Sequence, residues 1–363
     1  MNFTATDHRH MRRALELAAR GLDTTDPNPR VGAVIARQED VLGEGWHERA
    51  GGPHAEVHAL RAAGDAARGA TVYITLEPCN HHGRTAPCTD ALIAAGVSRV
   101  VCAMADPGRG AGGVDRLRAA GIAVEQGLLE SSALDLNHGY VKRLREGAPW
   151  VRLKLGVSLD GRTALASGES RWITGEAARA DVQRWRARSS AIVTSSTTVL
   201  RDDPRLDVRL AGATRQPLRV ILDSNLETPP NARILDAPGS VLILTAATSA
   251  MTRAALEQRG ARIVSIERAP TGGLDLKAVI RHLGSLEANE AWIECGPRLA
   301  GALVEARVVD EIVVYVAPTL LGNDARGMFD LPPLASLAAR REWTFADVQR
   351  VGDDLRIRAQ PRS

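Results

Sequence analysis

At 363 residues, with 44% apolar and 25% charged side chains, the chain has the length and balance of two folded domains, which excludes a disordered or fibrous protein. A net charge of +3 over that length leaves no concentrated basic stripe, so nucleic acid is not expected as a partner. No apolar run approaches the roughly 18 residues of a membrane span, and MNFTATDHRHMRRAL lacks the apolar core of a signal peptide, so no membrane association is expected and the default address is the cytoplasm.

In chain order, Met11, Ala14, Leu15 and Ala18 have the spacing of a helix across residues 7 to 21, ending at Gly21. After the turn DPNPR, the runs VGAVIA and VLGEGWH flank a polar RQED and predict a strand pair. HAEVHALRAAG predicts a helix stopped by Gly64, TVYITLEPC a strand, TDALIAAG a helix, RVVCAMAD a strand, VDRLRAAG a helix and IAVEQG a strand. Such alternation predicts an open α/β sheet. From Asn137 to Pro149 the chain turns polar and loses this rhythm, which puts a boundary near Gly147 and gives domains of residues 1–147 and 148–363. A second α/β unit follows, with strands at WVRLKLGVS, AIVTSS, LRVILDS, VLILT, ARIVSI, AWIEC and EIVVYVAP.

Four cysteines are too few for a disulfide framework in a chain of this length and are free for metal or core packing. His54-Ala55-Glu56 followed by Pro78-Cys79 matches the H-x-E and P-C elements of zinc deaminases, in which three ligands leave one position open for the water to be activated. The next cysteine, Cys88, comes after eight intervening residues rather than two, and NHHGRTAP between them is polar enough to loop the second thiolate back. His54, Cys79 and Cys88 are therefore the candidate ligands of one zinc ion, and Glu56 the proton shuttle. An H-x-x-x-H pair of His54 and His58 on one helix face is the alternative, and a structural zinc is a second, although such sites usually have four ligands. Cys102 and Cys295 lie in apolar strands and read as small buried hydrophobes.

Asn28, in the rigid turn DPNPRV, is a candidate to present its amide to the edge of a heterocycle, or else a structural turn residue. Gly108, Gly110 and Gly113 match G-x-G-x-x-G between a strand and a helix, with Glu125 on a later strand. The match lies inside the deaminase-type sheet and reads as a flexible connecting loop, which leaves any dinucleotide site to the second half.

The stretches PNPRVG, GEGWH, GPHAEVHAL and TLEPCNHHGRTAPC resemble the bifunctional riboflavin-biosynthesis deaminase and reductase family. So do LKLGVSLDGRTALASGESRWIT, TSSTTVLRDDPRL, ILDS, ECGPRLAGALVEA and VDEIVVYVAPTLLG, and the likeness spans essentially the whole chain. It implies a cytidine-deaminase-like three-layer α/β domain followed by a dihydrofolate-reductase-like α/β domain. The first would hydrolyse the 2-amino group of 2,5-diamino-6-(5-phosphoribosylamino)pyrimidin-4-one, a small pyrimidine ribotide. The second would use NADPH to reduce the ribosyl group to ribityl. A homo-oligomer is implied by analogy. The chain departs from the family in the glycine-rich loop after Asp106, which is shorter and differently ordered.

In the reductase half, the strand AWIEC runs into GPRLAGALVEA, a helix start whose backbone N–H groups suit a pyrophosphate. Gly296 permits close approach and Pro297 suits the first helical position, so Gly296, Pro297, Arg298, Leu299, Ala300, Gly301 and Ala302 are assigned to the cofactor. The resemblance adds Gly156, Trp172, Thr198, Asp202 and Ser224 to the NADP site and places Ser170, Arg186, Leu206, Arg209 and Glu294 on the substrate. By sequence alone Arg186, in QRWRAR, reads as part of a solvated helix face. Opening the ribose requires proton transfers, for which Lys154, Asp202 and Glu294 are candidates, with Lys154 otherwise an alternating strand residue facing water. The rival function is a zinc deaminase of another base, with a second half that only binds.

Overall fold

The apolar alternation of the first half folds as expected, into a single five-stranded sheet. The structure, a computed structural model, describes residues 3–81, 86–108, 110–270 and 272–362. The chain divides into Met1–Glu146 and Gly147–Ser363.

In the first unit, α1 (Ala5–Ala19) begins with a capping box, Thr4 and Asp7 each accepting the other's backbone N–H. Then come β1 (Gly32–Arg37), β2 (Asp40–Trp46), α2 (Ala55–Ala63), β3 (Thr71–Leu76), α3 (Cys88–Ala95), β4 (Arg99–Met104), α4 (Gly113–Ala119) and β5 (Ala123–Gln126). The sheet order is β2-β1-β3-β4-β5; β1 pairs antiparallel with β2 and β3, and β3, β4 and β5 run parallel. Glycines in β2 let α2 sit directly on the strand backbone: a Cβ at Gly43 would lie 2.3 Å from Ala59 O and one at Gly45 2.5 Å from Ala55 O. That close seat fixes where α2 begins, and His54 is its N-cap. The polar stretch from Asn137 is a helix after all, α5 (Glu130–Glu146). Its buried face is Ala133, Asn137, Gly139 and Val141, so an amide and a glycine stand where apolar residues would have revealed the period.

The second unit runs β6 (Trp150–Ser158), β7 (Arg162–Ala164), α6 (Glu176–Arg188), β8 (Ala191–Ser195), α7 (Ser196–Asp202), β9 (Leu218–Leu222), α8 (Arg233–Asp236) and β10 (Val241–Thr245). It continues with α9 (Ala250–Glu257), β11 (Ala261–Ser265), α10 (Leu276–Ser285), β12 (Glu290–Glu294), α11 (Pro297–Glu305), β13 (Glu311–Ala317), β14 (Arg326–Gly327), β15 (Trp343–Val351) and β16 (Asp354–Pro361). Nine strands form one sheet in the order β11-β10-β9-β8-β12-β6-β13-β16-β15, parallel as far as β13 and antiparallel beyond it. From β8 the chain steps outward to β11 and then returns to insert β12 between β8 and β6. The carboxyl ends of β8 and β12 thus flank a topological switch point, where open α/β sheets bind ligands.

Candidate functional site

The first constellation grows from element ends. His54 caps α2, Glu56 lies in the first turn of that helix, Cys79 follows β3, and Cys88 opens α3. His54 Nδ1 lies 3.2 Å from Cys88 Sγ and 3.6 Å from Cys79 Sγ, and the Cys88 N–H donates to Cys79 Sγ at 3.3 Å. Zinc bonds of about 2.1 Å to nitrogen and 2.3 Å to sulfur set tetrahedral neighbours roughly 3.5–3.8 Å apart, close to this spacing. The hydrogen bond from Cys88 holds the Cys79 thiol well below the ordinary cysteine range, while that bond and burial push the Cys88 thiol up, so the two thiols share one proton that a bound cation would displace. Glu56 is 3% exposed, and among the described residues its Oε2 has no hydrogen-bond partner. A buried carboxylate oxygen left open beside three metal-ligating atoms fits a catalytic metal site and not a closed structural one. His58 is outside this cluster, and the ligand atoms that converge among the described residues come from His54, Cys79 and Cys88. Of the connecting loop, residues 82–85 lie outside the described residues.

Asn28 reaches the same neighbourhood through a residue that the sequence did not single out. Its Nδ2 donates to His47 Nε2 at 3.0 Å, His47 Nδ1 donates to Pro53 O at 3.0 Å, and the His47 ring meets His54 edge-on with centroids 5.6 Å apart. Burial pushes the His47 imidazole down, which keeps it in the neutral form these two bonds require. The only sequence signal was its position at the end of GEGWH.

The second constellation lines a cleft of about 860 Å³ at the switch point of the nine-stranded sheet. Lys154 and Gly156 come from β6, Thr198 and Asp202 from α7, Glu294 from the end of β12, and Gly296 and Pro297 from the start of α11. Ser170, Trp172, Arg186, Leu206 and Arg209 complete the predicted residues in its wall. Arg186 is not a solvated helix residue: it is 8% exposed, and its Nε and Nη2 donate to the two Glu294 oxygens at 2.6 and 3.0 Å. Trp292 Nε1 donates to Glu294 Oε1 at 2.9 Å, and the Trp292 ring stacks on Trp185 of α6, which holds α6 against β12. Burial raises the Glu294 carboxyl, but the charges of Arg186 and Lys154 and the Trp292 bond outweigh it and hold it at about 2. Lys154, in register beside Glu294, is turned into the cleft and not to water; burial pushes its ammonium below the ordinary lysine range.

The other predicted cofactor residues lie further out. Ser224 follows β9 beyond the wall of this cleft, and its carbonyl accepts from Arg268 at 3.1 Å. Arg298, Leu299 and Ala302 continue α11, while Ala300 and Gly301 turn into the core, where a Cβ at Gly301 would lie 2.0 Å from Asp330 O. Cys102 is fully buried as expected. Cys295 is only half-buried: it follows β12 and lines the cleft.

Comparison with known proteins places each unit in a family. The zinc-binding region of cytidine and deoxycytidylate deaminases matches residues 4–104, and the RibD C-terminal domain matches residues 149–357. The class is a two-domain zinc deaminase and NADPH-dependent reductase. The riboflavin biosynthesis protein RibD of Escherichia coli (strain K12) is 51% identical over 366 residues, covering 96% of this chain and 98% of the relative. Form 1 of Acinetobacter baumannii RibD matches with a TM-score of 0.91 at 44% identity, covering 99% of each chain. The diaminohydroxyphosphoribosylaminopyrimidine deaminase/5-amino-6-(5-phosphoribosylamino)uracil reductase of Thermotoga maritima matches at 0.87 and 29% identity, covering 98% of this chain and 99% of that one. The chain belongs to the RibD family and carries deaminase and reductase activity in riboflavin biosynthesis.

Proposed function

We propose that His54, Cys79 and Cys88 hold the zinc and that Glu56 carries protons in the hydrolysis of 2,5-diamino-6-(5-phosphoribosylamino)pyrimidin-4-one. The open Glu56 oxygen beside the three ligand atoms carries this proposal. Zinc, when bound, supplies a nucleophile from water at neutral pH. Glu56 accepts the proton that this water gives up and delivers it to the exocyclic nitrogen as the C2–N bond breaks. Ammonia leaves and C2 retains the oxygen, giving 5-amino-6-(5-phosphoribosylamino)uracil. Asn28, steadied by His47, offers its amide to the ring edge.

NADPH, when bound in the second domain, would supply the hydride that C1′ of the deaminated ribotide accepts. Gly296 to Leu299 and Ala302, with Gly156, Trp172, Thr198, Asp202 and Ser224, are proposed to seat the cofactor, while Ala300 and Gly301, turned into the core, support that helix from behind. Lys154 donates a proton to the ribose ring oxygen as the C1′–O4′ bond opens, with Asp202 and Glu294 as the other candidate proton carriers. Ser170, Leu206 and Arg209 contact substrate, Arg209 with its exposed guanidinium toward the phosphate; Arg186 comes to it as the partner of Glu294.

The test is one reaction mixture: zinc-replete protein, NADPH and the diaminopyrimidine ribotide, with ammonia and NADPH followed together. Ammonia release followed by NADPH consumption is expected. Ammonia alone, even with the deaminated intermediate supplied, would favour the rival with an inert second domain.

Assembly as a homo-oligomer is proposed through the face of β13, β16 and β15. Phe345, Val348 and Leu355 are 71%, 54% and 42% exposed there, beside an apolar hollow that includes Val314, Val316 and Ile357. Phe345→Asp is expected to convert the sedimenting species to monomer; an unchanged mass would remove this face as the interface. No helix among the described residues is long and apolar enough to cross a membrane. The cytoplasm is the proposed address, where reducing conditions keep Cys79 and Cys88 available to metal.

A further inference from the structure

The G-x-G-x-x-G of residues 108–113 stands between β4 and α4, where a dinucleotide-binding turn would offer backbone N–H groups to a phosphate. Here a carboxylate of the chain itself already occupies them. Glu77, 8% exposed, accepts from the Gly112 and Val114 N–H groups with Oε1, each at 3.1 Å, and from the Asp106 N–H with Oε2 at 3.2 Å. Asn80 ties the other side: its N–H donates to Gly110 O at 3.2 Å and its Nδ2 to Gly112 O at 3.3 Å.

The glycines serve this lacing. A Cβ at Gly113 would fall 1.9 Å from Pro78 O, and one at Gly110 would fall 2.0 Å from Asp106 Oδ2 and 3.6 Å from Cys79 Cβ. The stretch Gly110 to Val114 is thus pressed onto the segment 77–80, with Cys79 between its two ties, and is held where the sequence alone read as flexible.

We infer that Glu77 is a positioning residue for the metal ligand Cys79. Its carboxylate acts as an internal anion in the place of a bound phosphate, locks the glycine loop, and through the loop fixes where the Cys79 thiolate stands. The inference rests on Cys79 ligating zinc. Partners that orient metal ligands from behind are typically worth about 10- to 100-fold in metal affinity.

The experiment uses the full-length zinc-loaded protein and follows zinc release to a chromogenic chelator. NADPH oxidation on the deaminated intermediate serves as a folding control in the other domain. Glu77→Ala is expected to release zinc about 10- to 100-fold faster than the parent with the control unchanged. Added formate, small enough for the vacated space and able to accept the same N–H groups, is expected to slow that release. Glu77→Gln should fall between, because its oxygen still serves Gly112 and Val114 while its amide N–H₂ faces the Asp106 N–H; it also carries the test if the alanine variant fails to fold. Unchanged zinc release in both variants overturns the inference. So does fast release that formate leaves untouched while the control falls in parallel, since that marks general loosening. Cys79→Ser is run alongside: zinc loss there with normal release in the Glu77 variants refutes only the role of Glu77, whereas zinc retention in Cys79→Ser refutes the ligand assignment itself.

Discussion

Glu56→Ala is expected to lower ammonia release by about 10²–10⁴-fold, the usual contribution of a positioned acid-base group, while NADPH oxidation on the deaminated intermediate continues at the parental rate. Two observations give the prediction its shape. Glu56 is not among the atoms that converge to hold a metal, so the variant should retain one zinc per chain. Its Oε2 also has no protein partner among the described residues, so the substitution breaks no network at that atom. Metal content and activity should therefore separate. If zinc is lost together with ammonia release, Glu56 holds the metal and does not carry the proton. If both activities fall, the two sites are not independent.

The legibility of the two sites differed for a physical reason. The residues of the His54, Cys79 and Cys88 cluster stand next to short motifs, H-x-E and P-C, whose chemistry calls for those residue types in that order, so His54, Glu56 and Cys79 could be proposed before any fold. Cys88 was readable once the polar loop before it was accepted as a return path. His47 was not, because what gives it meaning is a bond to Asn28, nineteen positions away in sequence. Arg186 was misread on composition for the same reason: QRWRAR looks solvated, but Trp185 stacks on Trp292 and Arg186 grips Glu294, contacts made across more than a hundred residues. α5 hid its period behind Asn137 and Gly139. β15 and β16 showed none of the burial alternation by which the other strands were found, since most of their side chains remain exposed or half-exposed.

Lys154→Met is expected to remove about 10²-fold or more of the reductase kcat, leave ammonia release intact, and raise rather than lower the melting temperature at neutral pH. The opposition of activity and stability follows from the charge count in the cleft. Glu294 already has a bidentate partner in Arg186 and a further hydrogen bond from Trp292, so Lys154 is the second cation facing one carboxylate. Burial, reinforced by Arg186 and only opposed by Glu294, lowers its pKa in the folded state. Keeping that ammonium charged therefore costs more in the native protein than in the unfolded chain. The linkage fixes the sign: between the lowered native pKa and the ordinary lysine value of about 10.4 the unfolded state binds more protons, so parental stability rises with pH across that window. The stabilising effect of methionine should be full below the window and fade through it. Parental reductase activity should fall as pH rises through the same lowered pKa, because a proton donor is being lost, and thermal melts and reductase rates measured over one pH series read both effects. Full turnover in the methionine variant would transfer the proton donation to Asp202 or Glu294. A melting temperature that falls at neutral pH would instead show that Lys154 is needed to keep Glu294 in place.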